Sequence, residues 1–328
     1  MTDTLQSLGE AELLRRLARF APAGQLDDDT ATLPATPSPN LINTDVLVEG
    51  VHFSDTTTSP EDVGWRAAAM NLSDLAGSGS GTVVGVTIGL VAPGHTPWSW
   101  VEGVYQGLSA ALNRFGGVLL GGDCSGGRQR ILAVTAIGRL GPLRLLRNQA
   151  RPGDTIVVSG PHGLSRLGLA LLQKDPAVET LTLPHELAQT AIQCHQRPVP
   201  RLEALHQLIG CKPEGLPWRA GGTDSSDGLQ QALRLLSEAS DCRILLDPTA
   251  LPVHALWPRG SLPADWCLNG GEDFELVLSL PDSWARAFLN DVPESRCIGN
   301  VISGKPSVCW QNGSELSSGD EFKHFTAP

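Results

Sequence analysis

Residues 41–77 read LINTDVLVEGVHFSDTTTSPEDVGWRAAAMNLSDLAG, and the fold turns on how they are divided between strand and helix. Leu41, Ile42, Val46, Leu47 and Val48 make a β-rich run around Asp45, a place where a charge is disfavoured unless something pairs with it. A turn Asp at a strand end is the plainer alternative. Ser59, Pro60, Glu61 and Asp62 then read as a helix start: a Ser cap, proline at the first helical position and acids in the first turn. The spacing predicts a helix to about Leu75 that carries Asn71 and Asp74, three residues apart, on one face. A carboxylate in a strand and another on the next helix are placed where a metal ion could meet both.

Working outward, residues 7–20 put Leu13, Leu14, Leu17 and Phe20 at helical spacing, which predicts an amphipathic packing helix. Asp27, Asp28 and Asp29 follow in a row, readable as a solvated loop or as ligands. Residues 82–91 read as a strand, 98–114 as a helix, 118–120 as a buried strand ending in Gly121, Gly122 and Asp123, and 131–140 as a strand. Gly141-Pro142 marks a domain junction, which gives an expected division into 1–142 and 143–328. Beyond it come a strand over 155–159, a helix start at Gly163–Ser165, and helix and loop over 173–220. Leu229, Leu233 and Leu236 set a helix capped by Ser226 or Asp227, just after Asp224, and residues 270–273 (GGED) precede a further strand. Phe322 and Phe325 in the tail read on spacing as packing residues.

At 328 residues, two domains of about 150 residues are expected, and 41% apolar with 18% charged residues is a folding composition. A net charge of -11 argues against nucleic acid as a partner. The seven cysteines form no C-x-x-C pair, there is no apolar run long enough to span a bilayer, and the N-terminus lacks a signal-peptide pattern. These point to a cytoplasmic protein with reduced thiols and no membrane partner.

The recurring feature is a carboxylate beside Gly, Ser or Thr at an element end: residues 27–29, Asp45, Asp123, Asp224 with Asp227, Glu272 with Asp273, and Asp74 on the helix. If such groups converge, two carboxylates about 4 Å apart repel by roughly 4 kcal/mol at an effective dielectric near 20, so cations are expected to sit between them. An all-oxygen donor set selects a hard cation, and without an EF-hand loop it favours several Mg2+ over Ca2+. Phosphate chemistry follows, although G-x-x-x-x-G-K-[ST] and G-x-G-x-x-G are both absent.

With GEAELL, DDDTA, NTDVLVEGVHF, MNLSDLAGSG, LLGGDCSGG, LRNQARPGDTIVVSG, RPVPR, DSSDGL, GGEDFEL and HFTAP quoted together, the chain resembles the thiamine-monophosphate kinase family of the PurM-like (aminoimidazole-ribotide-synthetase-like) superfamily. The T-D-x-L-V-E-G-x-H-F string is the most specific of these. The resemblance implies an α/β (α+β) fold of two domains, the first pairing its sheet with a second subunit into a barrel and the second an α/β domain, hence a homodimer. It implies ATP-dependent phosphorylation of thiamine phosphate to thiamine diphosphate with Mg2+, the last step in making that cofactor.

Carried over by motif, the metal ligands would be Asp29, Asn43, Thr44, Asp45, Asp74, Asp123, Asp224 and Asp227. Gly122, Asp123, Arg147 and Ser226 would contact ATP, and His52, Glu272 and Phe322 would hold thiamine phosphate. For His52, a packed core histidine is the competing reading. No covalent or general-base residue is expected, because the attacking phosphate oxygen is already anionic. The chain departs from the family pattern at residues 25–30, at Asn43 (usually Ser or Thr), at Ser225 (usually Ile or Leu) and at Ser78. Two other functions compete: another PurM-like ATP-dependent synthetase, and a non-catalytic nucleotide or thiamine-phosphate binding protein.

Overall fold

Strand β1 spans Asn40–Val48, and alternation along it settles which side chains can meet a helix. The computed structural model describes residues 3–316 apart from residues 24, 26–29, 31, 32, 34, 180 and 259. The chain divides into two compact units, Met1–Leu75 with Ser80–Gly141, and Ala76–Gly79 with Pro142–Pro328.

In the first unit, helix α1 (Leu5–Leu17) precedes β1, which is followed by α2 (Pro60–Gly77), β2 (Ser80–Ala92), α3 (Trp98–Phe115), β3 (Val118–Gly126) and β4 (Ile131–Leu140). The sheet order is β1-β4-β2-β3, antiparallel at β1/β4 and β2/β4 and parallel at β2/β3, where α3 makes the crossover. Leu47, Leu132, Val134, Ala136, Val86, Ile88 and Leu90 all lie on one buried face. Ile42 and Val46 stand on the other, 70% and 45% exposed. Helices α2 and α3 touch backbone to backbone. A Cβ at Gly64 would lie 1.8 Å from Val104 O, and one at Gly107 would lie 1.7 Å from Glu61 O, so only glycine permits the crossing.

The second unit is built on a six-stranded sheet ordered β10-β7-β9-β5-β8-β6. Its strands are β5 (Thr155–Val158), β6 (Gly221–Asp224), β7 (Arg243–Leu246), β8 (Leu276–Leu280), β9 (Arg296–Ile302) and β10 (Ser307–Trp310). Its helices are α4 (Leu164–Gln173), α5 (Pro176–Glu179), α6 (His185–Gln196), α7 (Leu202–Gly210), α8 (Leu229–Ala239), α9 (Ser261–Asn269) and α10 (Asp282–Asp291). Leu229, Leu233 and Leu236 of α8 pack on Ile156, Ile244, Val277 and Ile298 of the sheet. Each such leucine contributes about 2 kcal/mol by leaving water. Leu164 and Leu167 of α4 form a separate cluster with Leu187, Ala191 and Trp266.

Three local expectations differ from the structure. Leu14 is 46% exposed, because Leu13 and Leu17 take the inward face of α1. Strand β3 does not end at Gly121–Asp123 but runs on to Gly126, since pairing with β2 continues past Asp123. Helix α8 is not capped by Ser226 or Asp227. Its N-cap is Gly228 at φ 101, and Ser226 Oγ turns back to Asp224 Oδ1 at 3.2 Å.

Candidate functional site

In the first unit, Asn43 and Asp45 alternate with Leu47 and therefore face α2. The Nδ2 of Asn43 donates to Asp74 Oδ2 at 2.9 Å and to Asn71 Oδ1 at 3.1 Å. Asn71 Oδ1 also accepts the Asp45 N–H at 3.2 Å, and Asn71 Nδ2 donates to Ala67 O at 2.9 Å, which fixes the orientation of that amide. Asn71 and Asp74 thus share one helix face, as their spacing predicts, and strand β1 lies against it. With its nitrogen committed twice, Asn43 leaves Oδ1 buried and without a hydrogen-bond partner. A buried acceptor in that state costs about 1–3 kcal/mol. An oxygen orphaned beside two carboxylates fits a hard cation such as Mg2+.

The turn after β1 explains Glu49-Gly50-Val51-His52-Phe53. Glu49 pairs with the Arg130 guanidinium, which holds its carboxyl below the usual carboxylate range, and Arg130 also reaches Asp55 at 2.8 Å. Gly50 takes φ 80 and donates its N–H to Phe53 O at 2.8 Å. Phe53 is buried against Trp100, with ring centroids 6.2 Å apart. The Val48 N–H donates to His52 Nδ1 at 3.0 Å. Because Nδ1 accepts that hydrogen bond, the ring proton sits on Nε2. Glu49 and Phe53 shape the loop, and the bond from Val48 seats the His52 ring within it.

Not every expected ligand joins this cluster. Thr44 faces the other side of the sheet, its Oγ1 2.7 Å from Thr135 Oγ1. Asp45 pairs with Val134, Val134 with Ile88 and Ile88 with Gly122, which puts β1 and β3 at opposite edges, three strand spacings or about 14 Å apart. Asp123 also alternates onto the face opposite Cys124, whose thiol is bonded to buried Tyr105. Asp123 thus stands apart from Asp45 and Asp74 within this sheet, and among the described residues no three Asp, Glu, His or Cys side chains cluster at metal-binding distance. Asp29 and Phe322 lie outside the described residues.

In the second unit, the two motifs about 50 residues apart are joined by hydrogen bonds. Glu272 donates its N–H to Ser226 O at 2.7 Å, and the Glu275 N–H reaches Ser225 Oγ at 3.1 Å. Arg147 Nε donates to Thr223 Oγ1 at 3.3 Å, next to Asp224. Asp224 is 7% exposed, whereas Asp227 is exposed. Gly77 packs on this loop, where a Cβ would lie 2.8 Å from Asp224 N. Arg147, Asp224, Ser226, Asp227 and Glu272 are thus neighbours in one loop assembly.

Sequence reasoning missed the supports beneath that assembly. Ser225, a departure from the family pattern, is fully buried, and His162 Nε2 lies 3.1 Å from its hydroxyl. Glu275, 2% exposed, pairs with Arg201 and accepts a hydrogen bond from Ser159. Burial pushes the Glu275 carboxyl up, against the pull of Arg201. This pair is what ties RPVPR to GGEDFEL. The Asp273 carboxylate accepts the Gly163 N–H at 2.7 Å and the Ser165 N–H at 3.1 Å at the start of α4, while burial pushes it up to about 7. The acids in GGEDFEL were the available signal, but their partners are distant in sequence.

These features define a class. Residues 27–140 match AIR synthase related protein, N-terminal domain, and the two-unit α/β architecture is PurM-like. Over 325 residues the chain is 52% identical to the thiamine-monophosphate kinase of Prochlorococcus marinus, covering 98% of each chain. It is 42% identical over 332 residues to that of Synechococcus elongatus, covering 99% of each. The solved structure of AaThiL complexed with AMPPCP and TMP aligns at TM-score 0.75 and 30% identity, over 99% of this chain and 100% of that one. The chain belongs to the thiamine-monophosphate kinase family.

Proposed function

We propose that this chain transfers the γ-phosphoryl group of ATP to the phosphate of thiamine phosphate, giving ADP and thiamine diphosphate. The observation that carries the reading is its 52% identity, over 98% of the chain, to a kinase of that name. An anionic phosphate oxygen attacks, so the protein must align two negatively charged reactants and has no proton to remove. Mg2+, when bound, supplies the charge neutralisation.

In this reading Asn43, Asp45 and Asp74 hold Mg2+ in the first unit, and Asp224 and Asp227 hold it in the second. Thr44 serves through its main-chain oxygen, since its hydroxyl is turned to Thr135. Gly122 and Asp123 at the sheet edge, and Arg147 and Ser226 beside Asp224, hold the nucleotide. A Cβ at Gly122 would lie 2.1 Å from Ile88 O, so that strand keeps a bare backbone toward a ligand. His52 Nε2–H and the Glu272 carboxylate hold thiamine phosphate. Asp29 as a ligand and Phe322 as an aromatic contact complete the assignment.

The open face of the four-stranded sheet supports a homodimer. Ile42 and Val46 are exposed there, flanking Thr44 and Thr135, and among the described residues β1 and β3 are the edge strands of this sheet. A second copy would cover the apolar face and close the edges into a barrel. Seven free cysteines suit a reducing cytoplasm, and among the described residues no helix is long and apolar enough to cross a membrane.

ATP consumption measured with and without thiamine phosphate tests the reading. ADP formed only when thiamine phosphate is present supports it. Turnover that demands an acyl or amide acceptor points to a synthetase, and nucleotide binding without turnover points to a binding protein.

A further inference from the structure

Glu272 sits in a loop whose backbone is under strain. Gly271, Glu272 and Phe274 take φ 68, 57 and 55, so two non-glycine residues within three positions are left-handed. The surroundings impose this. Asp273 is fastened to the first turn of α4 through Gly163 N and Ser165 N, and the Glu272 N–H is fastened to Ser226 O. The main chain of Glu272 is thereby fixed, but its side chain, 30% exposed, still has several rotatable bonds.

A buried histidine faces that side chain. His195, in the last turn of α6, is 2% exposed, and its Nδ1 lies 3.6 Å from Glu272 Oε2. The same Nδ1 lies 3.2 Å from Ser165 Oγ, and the Ser165 N–H is one of the two that hold Asp273. Ser165 therefore touches both the loop's anchor and the imidazole that faces the loop's functional carboxylate. Packing does not demand a histidine: α6 crosses α4 closely at Gly168, where a Cβ would lie 3.0 Å from His195 Cβ, and the neighbouring cluster is made of Leu, Ala, Val and Trp. A leucine would fill the volume. What it would lack is the polar edge directed at Glu272.

We propose that His195, seated by Ser165, is a positioning residue that fixes the direction in which the Glu272 carboxylate meets the phosphate acceptor. This rests on the reading that Glu272 contacts thiamine phosphate. Order imposed on a binding carboxylate before the ligand arrives lowers the cost of binding, so the effect falls on acceptor affinity and spares the nucleotide.

The test compares KM for thiamine phosphate and for ATP in His195→Leu, His195→Asn, Ser165→Ala and Glu272→Gln. In His195→Leu the KM for thiamine phosphate is expected to rise about tenfold, with the KM for ATP within about twofold. Asn places an amide near the Nδ1 position, so His195→Asn is expected to retain most of the wild-type affinity. Adding His195→Leu to Glu272→Gln should raise that KM no further, because both act through one carboxylate. If Glu272→Gln raises the acceptor KM while His195→Leu and Ser165→Ala leave it alone, or if the Leu and Asn variants behave alike, the role of His195 is overturned and Glu272 keeps its own. If Glu272→Gln leaves the acceptor KM unchanged, the assignment of Glu272 fails and the proposal fails with it. Should His195→Leu not fold, Ser165→Ala and His195→Asn decide: a rise in acceptor KM of about threefold or more in the folded serine variant, absent in the Asn variant, supports the proposal, and its absence rejects it.

Discussion

The Ser225 hydroxyl donates to His162 Nε2 at 3.1 Å, while His162 Nδ1 lies 3.1 Å from Gly160 O. A carbonyl can only accept, so Nδ1 carries the proton and Nε2 takes the serine's. Ser225 Oγ in turn accepts the Glu275 N–H. The serine that replaces a usual Ile or Leu is therefore matched by a buried histidine. Ser225→Ala should lower stability by about 1–3 kcal/mol, because it strands His162 Nε2 and the Glu275 N–H, as a denaturant midpoint would record.

Burial lowers the His162 pKa from 6.5 to about 3. A group depressed in the folded state contributes stability present above its unfolded pKa and lost as pH falls toward the folded one. Melting temperature should accordingly decline from pH 7 toward pH 4, with His162 responsible for up to about 3 kcal/mol of the loss over that window. His162→Gln should flatten that decline; an unchanged slope would remove His162 as its cause.

Arg201 and Glu275 form a pair in which the carboxylate is 2% exposed. Arg201→Met leaves that carboxyl without its cation and should cost about 3 kcal/mol, seen as a fall in melting temperature of roughly 10 °C. The double variant Arg201→Met/Glu275→Leu should recover much of the loss, since no buried charge remains uncompensated.

Gly107→Ala should disrupt the first unit, because its Cβ would fall 1.7 Å from Glu61 O, a backbone atom. The expected loss exceeds the roughly 1–3 kcal/mol of ordinary overpacking, since two helix backbones must part. Gly121→Ala is the control: nothing lies within 4 Å of its Cβ position. Comparable soluble yield and melting for the two variants would contradict the close helix crossing.

Asp45→Asn should lower turnover by about two orders of magnitude or more, with melting temperature nearly unchanged, because on the proposed assignment it removes one cation ligand's charge while the shape is kept. Mg2+ with ATP should raise the wild-type melting temperature by mass action, and less so in this variant.

Much of the first unit was legible in the sequence. The strand around Asp45 and the helix around Asp74 declare themselves by β-branched alternation and by a Ser-Pro-Glu-Asp start, and strand β4 matches its expected limits of 131 and 140. Strands β7, β9 and β10 were not foreseen. Residues 243–246 and 307–310 are four-residue runs, too short for periodicity to separate from loop, and they become strands by pairing with each other and, for 243–246, with β9. The site divides in the same way. Asn71 and Asp74 share a helix face by local geometry, whereas the placing of Asp123 on the other edge and face depends on strand register. The link between His195 and Glu272 joins residues 77 positions apart, and no spacing rule reaches that far.

The most direct test supplies ATP labelled in its γ-phosphate, with thiamine phosphate and Mg2+, and follows the label by chromatography. The account predicts that label appears in thiamine diphosphate in equal amount to ADP formed, that EDTA stops it, and that Asp45→Asn nearly abolishes it. Label released only as inorganic phosphate, or an Asp45→Asn variant as active as wild type, would contradict it.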